Sequence, residues 1–226
     1  MAKYTKSLHS NLRGAAEPAE SPVPAVKRVS SETEHPGPEL DLSNHFLIAM
    51  PSMQDPIFGG SVIYLCEHSA RGAMGMVINR PTDMTVATLF ERVDLKLEII
   101  PDSHPIGKRA VMFGGPVQDD RGFVLHAPVG QFSSSLKVTD EIAFTTSRDV
   151  LEALAAGEGP ERVLISIGYA GWGAGQLEQE ILANGWLTVA ADASILFEVP
   201  VEERFAAAIR LLGIDPMMLA AQAGHA

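Results

Sequence analysis

The chain has 226 residues, 46% of them hydrophobic, and a mean hydropathy of +0.11, which places it among globular proteins and outside the disordered class. Seventeen Lys and Arg against 28 Asp and Glu give a formal charge of −11, a field that repels phosphate backbones, and a single cysteine excludes an internal disulfide framework. No run approaches the roughly 18 apolar residues of a membrane span, and the opening MAKYTKSLHSNLRG lacks an apolar export segment, so a cytoplasmic protein without a membrane partner is expected.

Residues 1–39 carry five prolines, scattered serines and five charges of each sign without sustained apolar periodicity, the composition of a disordered N-terminal arm. Residues 40–226 then form a single domain and hold the acidic excess, 23 carboxylates against 12 Lys and Arg. Along this domain HFLIAM reads as a strand, and SVIYLCEH and MGMVIN read as a hairpin about Ser69-Ala70-Arg71-Gly72. Helix follows at TVATLFERV (85–93), then strands at RAVMF (109–113) and RGFVLH (121–126), and two short strands, LKVT and IAFTT, about Asp140-Glu141. SRDVLEALAAG reads as a helix with Ser147 as N-cap and Gly157 beyond its end. RVLISIGY (162–169) and WLTVAA (186–191) are strands flanking a glycine-rich loop and a short helix. Pro200 opens the helix VEERFAAAIRLL, ended at Gly213, and Pro216 opens an apolar terminal helix. Hairpins and helices without a regular βαβ rhythm indicate an α+β fold rather than a doubly wound sheet.

The glycine-rich stretch is the first candidate site. Gly168, Gly171, Gly173 and Gly175 precede a helix, the order in which backbone N–H groups cradle an anion. Yet Gly171-Trp172-Gly173-Ala174-Gly175 matches neither G-x-G-x-x-G nor a Walker loop, and it lacks a phosphate-reaching lysine. Glu178 and Glu180 would themselves occupy the positive end of the helix dipole. The stretch therefore reads as close packing with Trp172 filling a pocket and Asn184-Gly185 capping the helix. A nucleotide or small-ligand site stays open, as does shallow-groove recognition of a partner.

Cys66 is the second candidate. Strict alternation puts Tyr64, Cys66 and His68 on one face, where an imidazolium could favour the thiolate and make a thiol-based redox sensor or enzyme. Apolar residues on both faces of that strand favour an inert, buried thiol instead. Asn79 and Arg80 end a strand and could present the guanidinium to an anion, or to the protein's own surface. His45, His68, His104 and His126 have no metal-ligand spacing, so no metal and no cofactor are expected. The last two helices mimic a helix-turn-helix, but the second carries no Lys or Arg and is poorly suited to reading DNA.

Three blocks carry a resemblance: MPSMQDPIFGGSVIYLCEHSARGAMGMVINRP (50–81), FGGPVQDDRGFVLH (113–126) and IGYAGWGAGQLEQEILANGWL (167–187). With their order and spacing, residues 40–213 closely resemble the bacterial AlgH/YqgE family. The resemblance implies a single domain with a bifurcated, largely antiparallel β-sheet folded as a pseudo-barrel with flanking helices, usually cytosolic and without established catalytic residues. It carries a link to transcriptional regulation by association only. The long N-terminal arm departs from the family pattern. The resulting expectation is a non-enzymatic regulatory or binding protein, a monomer or weak homo-oligomer, with an unidentified protein or small-molecule partner and no specific DNA binding.

Overall fold

In the computed structural model residues 41–96 and 106–215 are described. The N-terminal arm, His104 and the terminal helix after Pro216 lie outside them. The first strand, β1 (His45–Ala49), alternates with period two: Phe46 and Ile48 enter one core cluster, Leu47 and Ala49 another. It is flanked by β2 (Val62–Ser69), where Phe46 faces Tyr64, and by the strand Trp186–Ala190, where Ala49 faces Trp186. β2 and β3 (Gly72–Val77) close the expected hairpin with Ser69 opposite Gly72.

Pro81–Thr85 is a further strand, β4, hidden from the pattern because it is polar and begins at a proline; it pairs only with β5 (Ala110–Phe113). Between them lies α1 (Val86–Arg92), whose N-cap Thr85 accepts from the N–H of Thr88. β6 (Val117–Ala127) is longer than RGFVLH suggests, because its first half is exposed and charged. β7 (Ser135–Lys137) and β8 (Ala143–Thr145) form the short hairpin. In α2 (Asp149–Ala155) the expected cap is corrected. Arg148 holds the cap position, while the Ser147 hydroxyl donates to Asp149 and accepts from the N–H of Ser134.

β9 (Arg162–Gly173) overturns the loop reading of the glycine-rich stretch, since the strand continues through Gly168 and Gly171 and only Ala174-Gly175 turn into α3 (Gln176–Leu182). β10 (Trp186–Ala190), α4 (Ala193–Phe197), a 3₁₀ turn (Val201–Glu203) and α5 (Arg204–Leu211) complete the order; α4 was not anticipated. The sheet runs β10-β1-β2-β3-β9-β6-β8-β7 and curls into a half-barrel with flanking helices, as the resemblance implies.

The sheet forks at β9. Its end, Ala170–Gly173, pairs antiparallel with β3, while on the same side Ser166 and Ile167 pair in parallel with Met112 and Phe113 of β5. Gly114 bridges the two branches: its N–H donates to Ile167 O and its carbonyl accepts from the N–H of Val77, both at 2.9 Å. Beside it the backbones meet so closely that a Cβ on Gly168, where φ is +72°, would lie 2.2 Å from the Gly115 carbonyl oxygen. Only glycine fits there.

Three apolar clusters hold the sheet. One places α4 and α5 (Ile195, Leu196, Ala208, Ile209) against Phe46, Tyr64, Met76 and Phe144. A second packs Leu177 of α3 with Leu47, Ile63, Leu65, Trp172 and Trp186. A third sets α1 and α2 on Val111, Val124 and Ile165.

Candidate functional site

A β-bulge decides how the thiol and the histidine relate. Leu65 faces Gly75 and Glu67 faces Met74, so Cys66 is the extra residue on β2 and side-chain parity inverts after it. Cys66 stays with Tyr64 in the cluster under α4 and α5, whereas His68 pairs with Ala73 of the opposite cluster. The shared face expected from alternation does not exist. Cys66 is 2% exposed, its Sγ near only the Tyr64 carbonyl at 3.8 Å, and burial, aided by the Glu67 charge, pushes the thiol pKa up. Such a thiol is a small hydrophobe rather than a nucleophile.

His68 serves the other face. Its Nδ1 accepts from the N–H of Leu42 at 3.2 Å, so the ring proton sits on Nε2, which donates to Glu178 Oε1 at 3.0 Å. This bond ties β2 to α3, 110 residues away.

The glycine-rich stretch contributes an aromatic cluster instead of an anion cradle. Gly175, at φ +71°, starts α3 in a left-handed conformation, and the Gly173 N–H donates to Gln176 Oε1. Within the strand, Gly171 leaves the neighbouring Trp172 turned inward. The Trp172 ring lies edge-on to Trp186, 6.1 Å between centroids, and stacks with Phe58 at 6.3 Å. Glu180 secures both indoles: its Oε2 accepts from Trp172 Nε1 at 2.9 Å and from Trp186 Nε1 at 2.8 Å, while Oε1 accepts from Gln176. One carboxylate holding two indole N–H groups links β9, α3 and β10, and sequence reading missed it because the three residues belong to three elements.

Asn79 and Arg80 support the facing loop. Asn79 accepts from the N–H of Val62 and donates to Gly60 O; Arg80 donates to the carbonyls of Pro56 and Gly59 at 3.3 and 2.5 Å. Arg80 therefore clamps loop 50–61 rather than an anion. Asp55 caps the same loop, accepting from the N–H groups of Ile57 and Phe58. Between this loop and α3 opens a groove of about 360 Å³ lined by Met53, Asp55, Phe58, Gln176, Glu180 and Trp186. Its ionisable groups are both acidic. Leu182, 82% exposed, stands on α3 beside the groove residue Ala183.

The histidines serve separate partners. His45 contacts Ser43 O through Nδ1. In β6, His126 lies between Pro128 O and Thr145 Oγ1, and burial pulls its pKa below the ordinary value despite the Pro128 bond. Among the described residues no group of three or more His, Cys, Asp or Glu side chains is arranged to hold a metal, and no helix is long and apolar enough to cross a membrane.

Comparison with known proteins agrees with this architecture. The profile of the family described as AlgH-like matches residues 46–217. A UPF0301 protein of Ralstonia nicotianae is 61% identical over 191 residues, covering 84% of this chain and 98% of the relative. One from Bordetella petrii is 62% identical over 189 residues, covering 84% and 92%. The solution structure of the AlgH protein from Pseudomonas aeruginosa is 51% identical, with a TM-score of 0.67 over 82% of this chain and 96% of that one. A Corynebacterium diphtheriae protein, 19% identical with a TM-score of 0.61 over 80% of this chain and 91% of that one, shares the fold.

Proposed function

We propose that this chain, which belongs to the AlgH-like family, is a non-enzymatic, cytoplasmic binding protein that docks a basic segment of a partner protein in the groove between loop 50–61 and α3. The observation that carries the reading is the groove itself. Aromatic rings and two carboxylates, Asp55 and Glu180, converge on a cavity of about 360 Å³ on a surface with a strong acidic excess. A Lys or Arg side chain entering there would meet negative charge and ring faces together, while its stem would lie on Met53 and Phe58. The acidic field would raise the encounter rate with such a partner. Any regulatory role then runs through protein contact rather than DNA, and the chain acts as a monomer or weak homo-oligomer without metal or cofactor.

The chain has two tryptophans, and both donate to the Glu180 carboxylate that lines the groove, so their indole N–H signals in a ¹⁵N spectrum report on that carboxylate, Trp186 from within the groove and Trp172 from the cavity beside Gly72 and Met74. Titration of the full chain with the capped peptide Ala-Lys-Leu-Arg-Ala should shift both signals saturably, and the counterpart Ala-Glu-Leu-Glu-Ala should not. Ala183→Lys, at an exposed position on the groove wall, should weaken the basic peptide about tenfold while the fold stays intact. Indole signals unmoved by the basic peptide, or moved equally by the acidic one, would remove the proposal.

A further inference from the structure

A second cavity lies on the opposite branch of the fork, about 280 Å³ in volume, between β5, β9 and the segment from Phe197 to Arg204. Its lining is mainly aliphatic and aromatic, including Val86, Met112, Ile165, Phe197 and Val201. Two guanidinium groups interrupt this surface. Arg204, at the start of α5, is only 5% exposed; its Nη1 donates to Ile78 O at 2.6 Å and its Nε to Val199 O at 3.1 Å. Arg109 stands at the exposed rim, with Nη1 3.4 Å from Val163 O.

Neither guanidinium forms an ion pair among the described residues, although the domain holds about twice as many acids as bases. Glu202 acts on Arg204 through space without outweighing burial and Arg109, and Glu161 lines a neighbouring cavity of about 170 Å³ that Arg109 also borders. Arg204 Nη2 has no hydrogen-bond partner among the described residues. Since no side-chain nitrogen or oxygen there is both sealed off and unsatisfied, this group keeps some solvent contact, on a side chain that lines the cavity. A buried cation normally has a counter-charge, because desolvation without one is costly. Burial and the nearby Arg109 pull the Arg204 pKa down to about 10, which an arriving anion would reverse.

We propose that this cavity is a binding site for a small aliphatic monocarboxylate, its carboxylate on Arg204 and Arg109 and its chain among Met112, Ile165, Phe197 and Val201. A singly charged head with an apolar body fits better than free phosphate, because the walls beyond the two guanidiniums offer mainly apolar contact. The volume corresponds to roughly nine water molecules at about 30 Å³ each, room for a short acyl chain.

Octanoate is a suitable probe, with octan-1-ol supplying the same body without charge, and acetate and inorganic phosphate supplying charge without the body. Calorimetric titration of the full chain should give saturable octanoate binding with a Kd below about 1 mM, at least about tenfold tighter than any of the other three. Arg109→Gln, at the rim, should weaken octanoate about tenfold and leave octan-1-ol unchanged, as expected for a charge-assisted hydrogen bond. Ala110→Leu, filling the cavity from β5, should weaken octanoate and octan-1-ol alike. Arg204→Lys should weaken octanoate if it folds; if it does not, Arg109→Gln and the octan-1-ol comparison decide. The proposal fails if octanoate does not saturate, if octan-1-ol or phosphate matches it, or if Arg109→Gln leaves its affinity intact.

Discussion

At the scale of single residues, burial and hydrogen-bond direction set the chemistry. Cys66 is enclosed by the cluster under α4 and α5, and with its pKa raised the thiolate is scarce at neutral pH. Native protein should therefore resist iodoacetamide and label fully only on unfolding, and His68→Ala should not change that rate, because the imidazole lies across the sheet. Fast native labelling abolished by His68→Ala would contradict both the burial and the bulge. Cys66→Ser should lower stability by about 1–3 kcal/mol in denaturant unfolding, through a hydroxyl without a ready partner. His126 supplies a pH test. Its Nδ1 faces Pro128 O, which can only accept, so Nδ1 carries the proton and Nε2 accepts from Thr145, itself contacted by Ser135 at 2.6 Å. Protonation would make Nε2 a second donor, so the Thr145 hydroxyl would have to turn its hydrogen away, and the charge would sit in a ring held out of water. The folded pKa is depressed, so the unfolded state binds the proton first as pH falls. Stability should drop below about pH 6.5 by up to about 1.4 kcal/mol per pH unit until the folded pKa is reached. His126→Gln, which keeps a donor and an acceptor, should flatten that slope between pH 7 and 5; an unchanged slope would assign it to other groups.

At the scale of elements, the fork in the sheet is the decisive feature, and it rests on backbone contact. Gly168→Ala would place a methyl carbon 2.2 Å from Gly115 O at a φ of +72°, so it should cost at least about 3 kcal/mol in urea unfolding. Gly175→Ala has the same left-handed φ but open space around it, and should cost only about 1 kcal/mol. Equal costs would mean that conformation alone, and not close approach, governs Gly168. The contrast explains what was legible in the sequence. Alternation and turn residues located β1, the β2–β3 hairpin, α1, α2 and β10, because each buries one face locally. β4 escaped since it is largely polar and half-buried, the first half of β6 since it is polar and exposed, and β9 was cut short because glycines that read as a loop were required where strands cross. The face inversion at Cys66 was invisible for a related reason: a bulge depends on the partner strand, and period two contains no trace of it. Trp172 was readable as buried, but its bond to Glu180 and the convergence with Phe58 needed the tertiary fold. Arg204 looked like one helix residue among several until its carbonyl partners on two other segments were in place.

At the scale of the whole molecule, the charge distribution bears on which class of partner would be attracted. Specific duplex binding draws much of its affinity from Lys and Arg neutralising phosphates, and a chain with 28 carboxylates against 17 Lys and Arg has to concentrate its cations to manage it. Several of the described cations are engaged elsewhere. Arg80 is spent on carbonyls of loop 50–61, Arg204 is inside, and Lys137, Arg148 and Arg162 face Asp140, Glu152 and Glu198. Helices α3 and α5 are seven and eight residues long, and α3 carries Glu178 and Glu180, so neither presents a basic recognition face to the major groove. Full-length protein should therefore give no footprint on duplex DNA at micromolar concentration and physiological salt, where specific regulators reach about 10⁻⁸ M. Lowering the salt should not recover a sequence-specific complex, because repulsion between like charges grows as screening weakens. The same change should strengthen binding of the basic peptide to the α3 groove, since opposite charges gain from weaker screening. Opposite salt responses of the two ligands are the signature of this charge distribution, and a sharp footprint below 1 µM that tightens at low salt would overturn it.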